Sequence, residues 1–323
     1  MIRELLDKFR DKKVLVLGDV MLDQYLWGRV ERISPEAPVP ILEVCNEEFR
    51  LGGAANAALN VRSLGAEAIL VGITGEDQAA SNLRKLMAES QISSDGLIAG
   101  PSRKTTLKTR IGAVNQQIVR IDHESQEEIG AKAVSDLKAR LEILLPGCQA
   151  LIIEDYNKGL MTSEVIGFVL KLAARQGIPV AVDPKYRNFL AYQGVDIFKP
   201  NFRELQTVKG EAFEGDEAFF TAARELRTQL EVKNLIVTKG SLGMYIFDGD
   251  GQPLHLPTAA REVYDVSGAG DTVISALTLA YISGADIRLA AQVANHAAGV
   301  ACGIMGTACV SPEQLLASYN EQR

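Results

Sequence analysis

Short runs of apolar residues recur along the chain at 13–17, 68–72, 150–153, 179–182, 197–198 and 235–238, each broken off by a polar or glycine-containing turn. Between them, apolar residues fall at i, i+3, i+4 spacing over 54–64, 78–90, 127–145, 163–175 and 216–230. That is the period of a helix with one buried face. Short strands that are apolar throughout, separated by helices of this length, predict a mostly parallel sheet covered by helices on both sides. Beyond residue 270 the pattern turns helical, over 271–281, 286–302 and 313–319. The second of these carries an alanine stripe suited to close helix packing, and the third opens at Ser311-Pro312, a helix-start pair. Residues 1–10 alternate charge with apolar side chains and read as a short amphipathic helix.

Two regions break this rhythm, at 25–49 and 105–122, and both read as extended chain. Strands lying outside the parallel sheet predict either edge hairpins or a small antiparallel flap over a cleft. A flap bearing Trp27, Val30, Ile33, Val39, Ile41 and Val44 exposes an apolar face. Such a face wants the main domain or a second subunit against it.

Composition narrows the classes. At 323 residues the chain has room for one large domain, and 47% hydrophobic with 23% charged residues excludes a disordered one. A formal charge of -7 argues against nonspecific binding to nucleic acid or an anionic membrane, while leaving room for a local basic pocket. Four cysteines without a C-x-x-C pair, and only three histidines, fit neither a zinc site nor a disulfide scaffold. There is no signal-peptide core and no apolar run long enough to span a membrane. The expectation is a soluble cytoplasmic protein with no nucleic-acid or membrane partner.

The chemistry concentrates at strand ends. Asp265-Val266-Ser267-Gly268-Ala269-Gly270-Asp271-Thr272 runs straight into an apolar helical pattern. Three small residues let the backbone turn tightly and point its N–H groups, with the helix N-terminus, at one anion. Asp271 there can cap the helix or accept a proton from a hydroxyl nucleophile. The segment lacks the lysine of a P-loop and lies far from the first strand, which disfavours a dinucleotide fold. Asp19 and Asp23 follow the first strand, where open α/β sheets bind ligands, and suit polyol hydroxyls. Gly52 and Gly53 permit close backbone approach before a helix that begins with Asn56 near its start. Residues 154–159, 183–185, 199–204 and 238–241 add Asp, Glu, Asn and Lys to the same rim, a mixture suited to a phosphorylated ligand with magnesium.

Gly52, Gly53 and Asn56, taken with the D-x-x-G-A-G-D element at 265–271, resemble the two signatures of the ribokinase-like, or PfkB, sugar-kinase family. The resemblance implies a three-layer α/β fold, with a mostly parallel central sheet, helices on both faces and a small β-strand lid. It implies transfer of the ATP γ-phosphoryl group, with Mg²⁺, to a sugar hydroxyl. By match to the family motifs, Asp271 is the base and Gly268, Ala269 and Gly270 form the anion hole. Asp19, Asp23, Gly52, Gly53 and Asn56 match sugar contacts. Asn201 and Glu204 match the N-x-x-E element, with Glu204 on the metal directly or through water. Thr238 and Gly240 match residues near the nucleotide phosphates, and Asn295 lies where the adenine pocket is expected. Within the family, the stretches 18–23, 32–40, 154–159, 183–185 and 306–308 are similar to kinases acting on D-glycero-β-D-manno-heptose 7-phosphate at O1, on the route to ADP-heptose and lipopolysaccharide core.

The expected organisation is a single kinase domain over 1–323, with lid segments at about 25–49 and 103–122 and no C-terminal nucleotidyltransferase domain. A homodimer through the lid strands is expected. Charge and position nominate Lys158 and Lys185, with Arg103 and Lys104, to hold the sugar's own phosphate. Another sugar, sugar-phosphate or nucleoside kinase of the family, or a sugar-sensing domain without turnover, remain as alternatives.

Overall fold

The structure, a computed structural model, describes residues 2–100, 102–113, 116–249, 251–304 and 306–321. Met1 of the expected N-terminal helix and residues 114–115 of the second lid segment lie outside the described residues. In chain order the elements are α1 (Ile2–Asp7), β1 (Lys13–Gly18), β2 (Val20–Ile33), β3 (Pro40–Gly53), α2 (Ala54–Ser63), β4 (Glu67–Thr74), α3 (Gln78–Glu89) and β5 (Leu97–Ala99). Then come β6 (Thr106–Ala113), β7 (Gln116–His123), α4 (Ala131–Leu144), β8 (Ala150–Glu154), α5 (Ser163–Gln176), β9 (Val180–Asp183), β10 (Ile197–Phe198) and α6 (Phe202–Lys209). The chain closes with α7 (Gly215–Gln229), β11 (Asn234–Thr238), β12 (Met244–Phe247), β13 (Leu254–Leu256), α8 (Ala269–Ile282), α9 (Ile287–Cys302) and α10 (Pro312–Glu321).

Among the described residues nine strands form one sheet, in the order β13-β12-β11-β10-β9-β8-β1-β4-β5. All neighbours are parallel except the pairs β11–β12 and β12–β13. Successive strand side chains point to opposite faces, and the core records it. Val14 and Val16 of β1 enter one apolar cluster, with α2, α8 and α9, while Leu15 and Leu17 enter the other, with α4, α5 and α7. This is why the strands read as unbroken apolar runs: both faces are buried.

The chain visits β4 and β5 on one side of β1 and β8 to β11 on the other. A crevice therefore opens between the carboxyl ends of β1 and β8, the position where such sheets bind ligands. Gly18, at the end of β1, lies against the Glu154 carbonyl so closely that a Cβ would collide with it. The next N–H, of Asp19, donates to that carbonyl at 3.0 Å.

The lid is a second, four-stranded sheet, ordered β3-β2-β6-β7. Its strands β2 and β3 begin earlier and end later than the extended segment read from the sequence, because both run down to the crevice at Val20 and Gly53. Gly53 adopts φ +55°, and a Cβ there would sit 2.5 Å from the Asp19 carbonyl. Glycine at this position is what allows β3 to turn directly into α2.

Candidate active site

Helices α2 and α8 meet through small residues, and their polar positions lock the approach. Ser275 Oγ donates to the Ala57 carbonyl at 3.0 Å, and Thr272 Oγ1 to Asn60 Oδ1 at 3.1 Å. The result is that Asn56, fully buried in the first turn of α2, donates from Nδ2 to Asp271 Oδ2 at 2.6 Å. The other carboxylate oxygen accepts from the Tyr156 hydroxyl at 2.5 Å.

Asp271 does not cap its helix, as one sequence reading allowed. The cap position is Gly268, at φ +78°, and Asp271 lies inside the first turn with its side chain turned into the crevice. A Cβ on Gly268 would stand 2.6 Å from the Asn56 amide nitrogen, so only glycine fits there without displacing the Asn56–Asp271 bond. The Ala269 N–H already donates to the Val266 carbonyl at 3.2 Å. That leaves the following N–H groups, of Gly270 and Asp271, as the donors a helix start presents to an anion.

Burial pushes the Asp271 carboxyl up to about 6; the Tyr156 and Asn56 hydrogen bonds hold it down, Asp183 raises it and Lys199 lowers it. Asp19 is also raised to about 6, again chiefly by burial, against the N–H groups of Lys158 and Tyr156 that favour its charged form. Those two N–H groups reach Asp19 Oδ2 at 3.0 and 2.8 Å. Tyr156 thus ties the two acidic loops together, its backbone on Asp19 and its hydroxyl on Asp271. Asp23 lies one turn of the pleat further along β2, beside Gly52, and accepts from Arg110 at 2.6 Å. The early acidic loop and the late glycine turn therefore share one cleft.

A second cavity, of about 230 Å³, opens on the far side of the glycine turn. Thr238, Gly240 and Asn295 line it together with Val266, Ala269 and Gly270. The three residues assigned to the nucleotide by resemblance are thus gathered in one place, although they come from three elements.

The acids and lysines of the rim sort differently from the sequence reading. Glu154, Asp183 and Asp271 bring carboxylate oxygens within 4.8 Å of one another. Glu154 is fully buried, and neither of its oxygens has a hydrogen-bond partner among the described residues. Burial, then Asp271 and Asp183, hold its carboxyl well above the usual range. Lys199 Nζ stands 2.7 Å from Asp183. Glu204, the expected metal residue, is engaged elsewhere. Its Oε2 accepts from the Asn201 N–H at 2.8 Å, closing a capping box that starts α6, and its Oε1 pairs with Lys185. Asn201 spends its side-chain oxygen on the Glu204 N–H, at 2.9 Å.

Three of the four cations expected to hold the sugar's phosphate have partners in the structure. Arg103 donates to the carbonyls of Ser125, Glu127 and Lys158 and stitches loops together. Lys158 pairs with Glu124 at 2.6 Å, and Lys185 with Glu204. Lys104 is exposed, with its backbone N–H directed at Ser125. Residues that the sequence reading gave no role also border the cleft: Tyr156, and on the lid Tyr25, Arg50 and Arg110. The one signal for the lid arginines was their alternation with apolar residues on extended chain.

A glycine turn feeding a helix N-terminus, with a buried carboxylate behind it and a lidded polar crevice in front, is an arrangement for phosphoryl transfer to a hydroxyl. Residues 11–314 match the family described as pfkB family carbohydrate kinase, and the chain belongs to that family. It is 41% identical to the bifunctional protein HldE of Geotalea uraniireducens (strain Rf4), over 98% of this chain and 64% of that protein. It is 42% identical to the bifunctional protein HldE of Citrifermentans bemidjiense, over 94% of this chain and 63% of that protein. The chain thus spans under two thirds of the length of these curated relatives. Among solved structures, the fold is similar to phosphofructokinase-2 from Escherichia coli in complex with substrates and products, with TM-score 0.81 and 19% identity over 97% of this chain and all of that one. It is similar as well to Arabidopsis thaliana ribokinase complexed with ribose and ATP, with TM-score 0.74 and 19% identity over 95% and 98% of the two chains.

Proposed function

We propose that the protein phosphorylates D-glycero-β-D-manno-heptose 7-phosphate at O1, with ATP as donor, giving the 1,7-bisphosphate used for ADP-heptose and the lipopolysaccharide core. The observation that carries the reading is the Asp271 carboxylate, buried beside the glycine turn and oriented by Asn56 and Tyr156 at 2.6 and 2.5 Å. Similarity of about 40% to the HldE proteins over nearly the whole chain supports the choice of acceptor.

In this reading the acceptor hydroxyl approaches Asp271, whose carboxylate takes its proton as the oxygen attacks phosphorus in line. The N–H groups of Gly270 and Asp271 face the charge that grows on the transferring group. Asp19 and Asp23 accept hydrogen bonds from sugar hydroxyls, and the cavity at Thr238, Gly240 and Asn295 takes the nucleotide. The residues present fit a magnesium ion: Glu154 and Asp183 would hold it, and the unpartnered Glu154 oxygens are the observation that favours this over Glu204. An ion held there would supply positive charge to offset that of the phosphates. The reading places the protein in the cytoplasm as a homodimer through its lid strands.

A coupled ADP-release assay over a panel of sugars, sugar phosphates and nucleosides tests the assignment. Selective turnover of the heptose 7-phosphate is expected, lowered roughly 10²–10⁴-fold in kcat by Asp271→Asn, the range for loss of a general base. Preference for another acceptor moves the protein elsewhere in the family. Binding of sugar without ADP release would make it a sensor.

A further inference from the structure

The turn that follows β8 gives three successive N–H groups alternating partners. Those of Tyr156 and Lys158 reach Asp19 Oδ2, at 2.8 and 3.0 Å, while that of Asn157 between them reaches Asp155 Oδ1 at 2.8 Å. Asn157 sits at φ +56°, in the left-handed region that few residues besides glycine, asparagine and aspartate enter. A residue held there beside a site persists only where its surroundings leave the chain no easier course. The same turn carries the Tyr156 hydroxyl to Asp271. Its shape therefore bears on both acids of the cleft.

What fixes the turn lies behind it. Asp155 is 2% exposed, and its N–H donates to the Asp183 carbonyl at 3.1 Å, which ties its backbone to the end of β9. With Oδ1 on the Asn157 N–H, it turns Oδ2 to the Tyr192 hydroxyl, which donates at 2.7 Å, and to the Asn188 amide, which donates at 3.3 Å. Asn188 donates in addition to the Met161 carbonyl at 2.6 Å. Tyr192 is fully buried, its ring 6.3 Å from that of Phe198, in the apolar cluster shared with α4, α5 and α7. One carboxylate thus joins core to turn, with one oxygen on a buried tyrosine and the other on the left-handed residue. Without that second oxygen the Asn157 N–H loses its acceptor, and the backbone can relax toward the extended or right-handed regions.

We propose that Asp155 and Tyr192 are positioning residues for acceptor binding: through the turn at 156–158 they set the Asp19 carboxylate. Both Asp155 oxygens are engaged inside the protein and Tyr192 is closed off from solvent, so the two act through the turn and not on the acceptor itself. The inference rests on Asp19 accepting hydrogen bonds from the sugar, as proposed above. A carboxylate held in place before the sugar arrives spares the cost of ordering it during binding. Acceptor recognition then reaches back to a hydroxyl in the core.

Asp155→Ala deletes the link outright, while Tyr192→Phe deletes one oxygen and keeps the ring. Both are assayed with the acceptor that the wild type turns over fastest in the panel above, heptose 7-phosphate on that reading. Asp155→Ala should raise the acceptor KM roughly 10–100-fold and Tyr192→Phe roughly 3–10-fold, with the ATP KM within about twofold in each. Asp19→Asn is the direct comparison and should raise the acceptor KM as well. A core that is merely loosened lowers the thermal midpoint and leaves the acceptor KM alone, or raises both KM values together. Either result, beside an Asp19→Asn enzyme with a raised acceptor KM, overturns the positioning role and leaves Asp19 on the sugar. A normal acceptor KM in Asp19→Asn instead takes Asp19 off the sugar, and overturns that reading and this inference with it. If Asp155→Ala fails to fold, Tyr192→Phe decides: a raised acceptor KM alone upholds the role, and wild-type values overturn it.

Discussion

The hydroxyl of Tyr156, a half-buried residue, and the buried carboxylate of Asp271 face each other at 2.5 Å. A donor aimed at the charged form of an acid lowers its pKa, whereas burial raises it. At Asp271 burial is the largest influence, and the balance lands at about 6. A base must be deprotonated to work, so kcat/KM should fall as pH drops through about 6 in the free enzyme. Tyr156→Phe removes the donor, leaves the neighbouring Glu154, Asp183 and Lys199 in place, and should shift that acid limb to higher pH. It should lower kcat about tenfold at neutral pH, while the acceptor KM changes little. An unshifted limb with wild-type kcat would show that Asn56 alone positions the base. The sequence made Asp271 and Asn56 legible because each sits in a spaced motif with glycines that have a mechanical reason. Tyr156 stood in plain view two residues past a strand, but nothing in a linear chain says that its hydroxyl meets a residue 115 positions away.

At the level of elements, β8 and β9 each end in an acid, Glu154 and Asp183, which the parallel register sets directly opposite each other. Side-by-side carboxylates under a helix N-terminus repel, and burial of Glu154 without a partner deepens the cost. Glu154→Gln should therefore raise the thermal midpoint in the absence of magnesium. It should also reduce the upward shift that magnesium gives the wild type, since a bound ion stabilises only the folded state. A variant as responsive to magnesium as the wild type would move the metal away from this strand pair. The strand ends themselves were readable, because strands buried on both faces leave apolar runs that stop where the crevice begins. Less legible were the β12–β13 hairpin and α6. The hairpin pairs strands of four and three residues at the sheet's edge, too short to show a period. Helix α6 spans eight residues, and its capping box at Asn201 and Glu204 carries the same letters as a metal-associated motif. Local capping uses one Glu204 oxygen and the Lys185 ion pair the other, and those competing roles could not be seen from spacing alone.

For the whole molecule, the lid is a sheet with two unlike faces. The one carrying Asp23, Tyr25 and Trp27 is polar and looks into the cleft. The other carries Leu22 and Leu26 of β2, Leu107 and Ile111 of β6, and Val119 and Ile121 of β7, by the same register. Its root is buried in the main core at Leu22 and Leu51, but toward the tip Val119 and Ile121 are 45% and 42% exposed. A four-stranded sheet cannot cover such a face by itself, and two copies related by a twofold axis could bury tip against tip. The protein should sediment at about 70 kDa, twice its 34.9 kDa chain mass, at micromolar concentration. Val119→Glu combined with Ile121→Glu should halve that mass, because four carboxylates would meet at the twofold. Since Asp23, a proposed sugar contact, belongs to the opposite face of the same sheet, the monomeric variant should lose affinity for the acceptor and keep its affinity for ATP. A wild type that sediments as a monomer would remove the lid pairing, and a monomeric variant with unchanged acceptor KM would separate pairing from recognition.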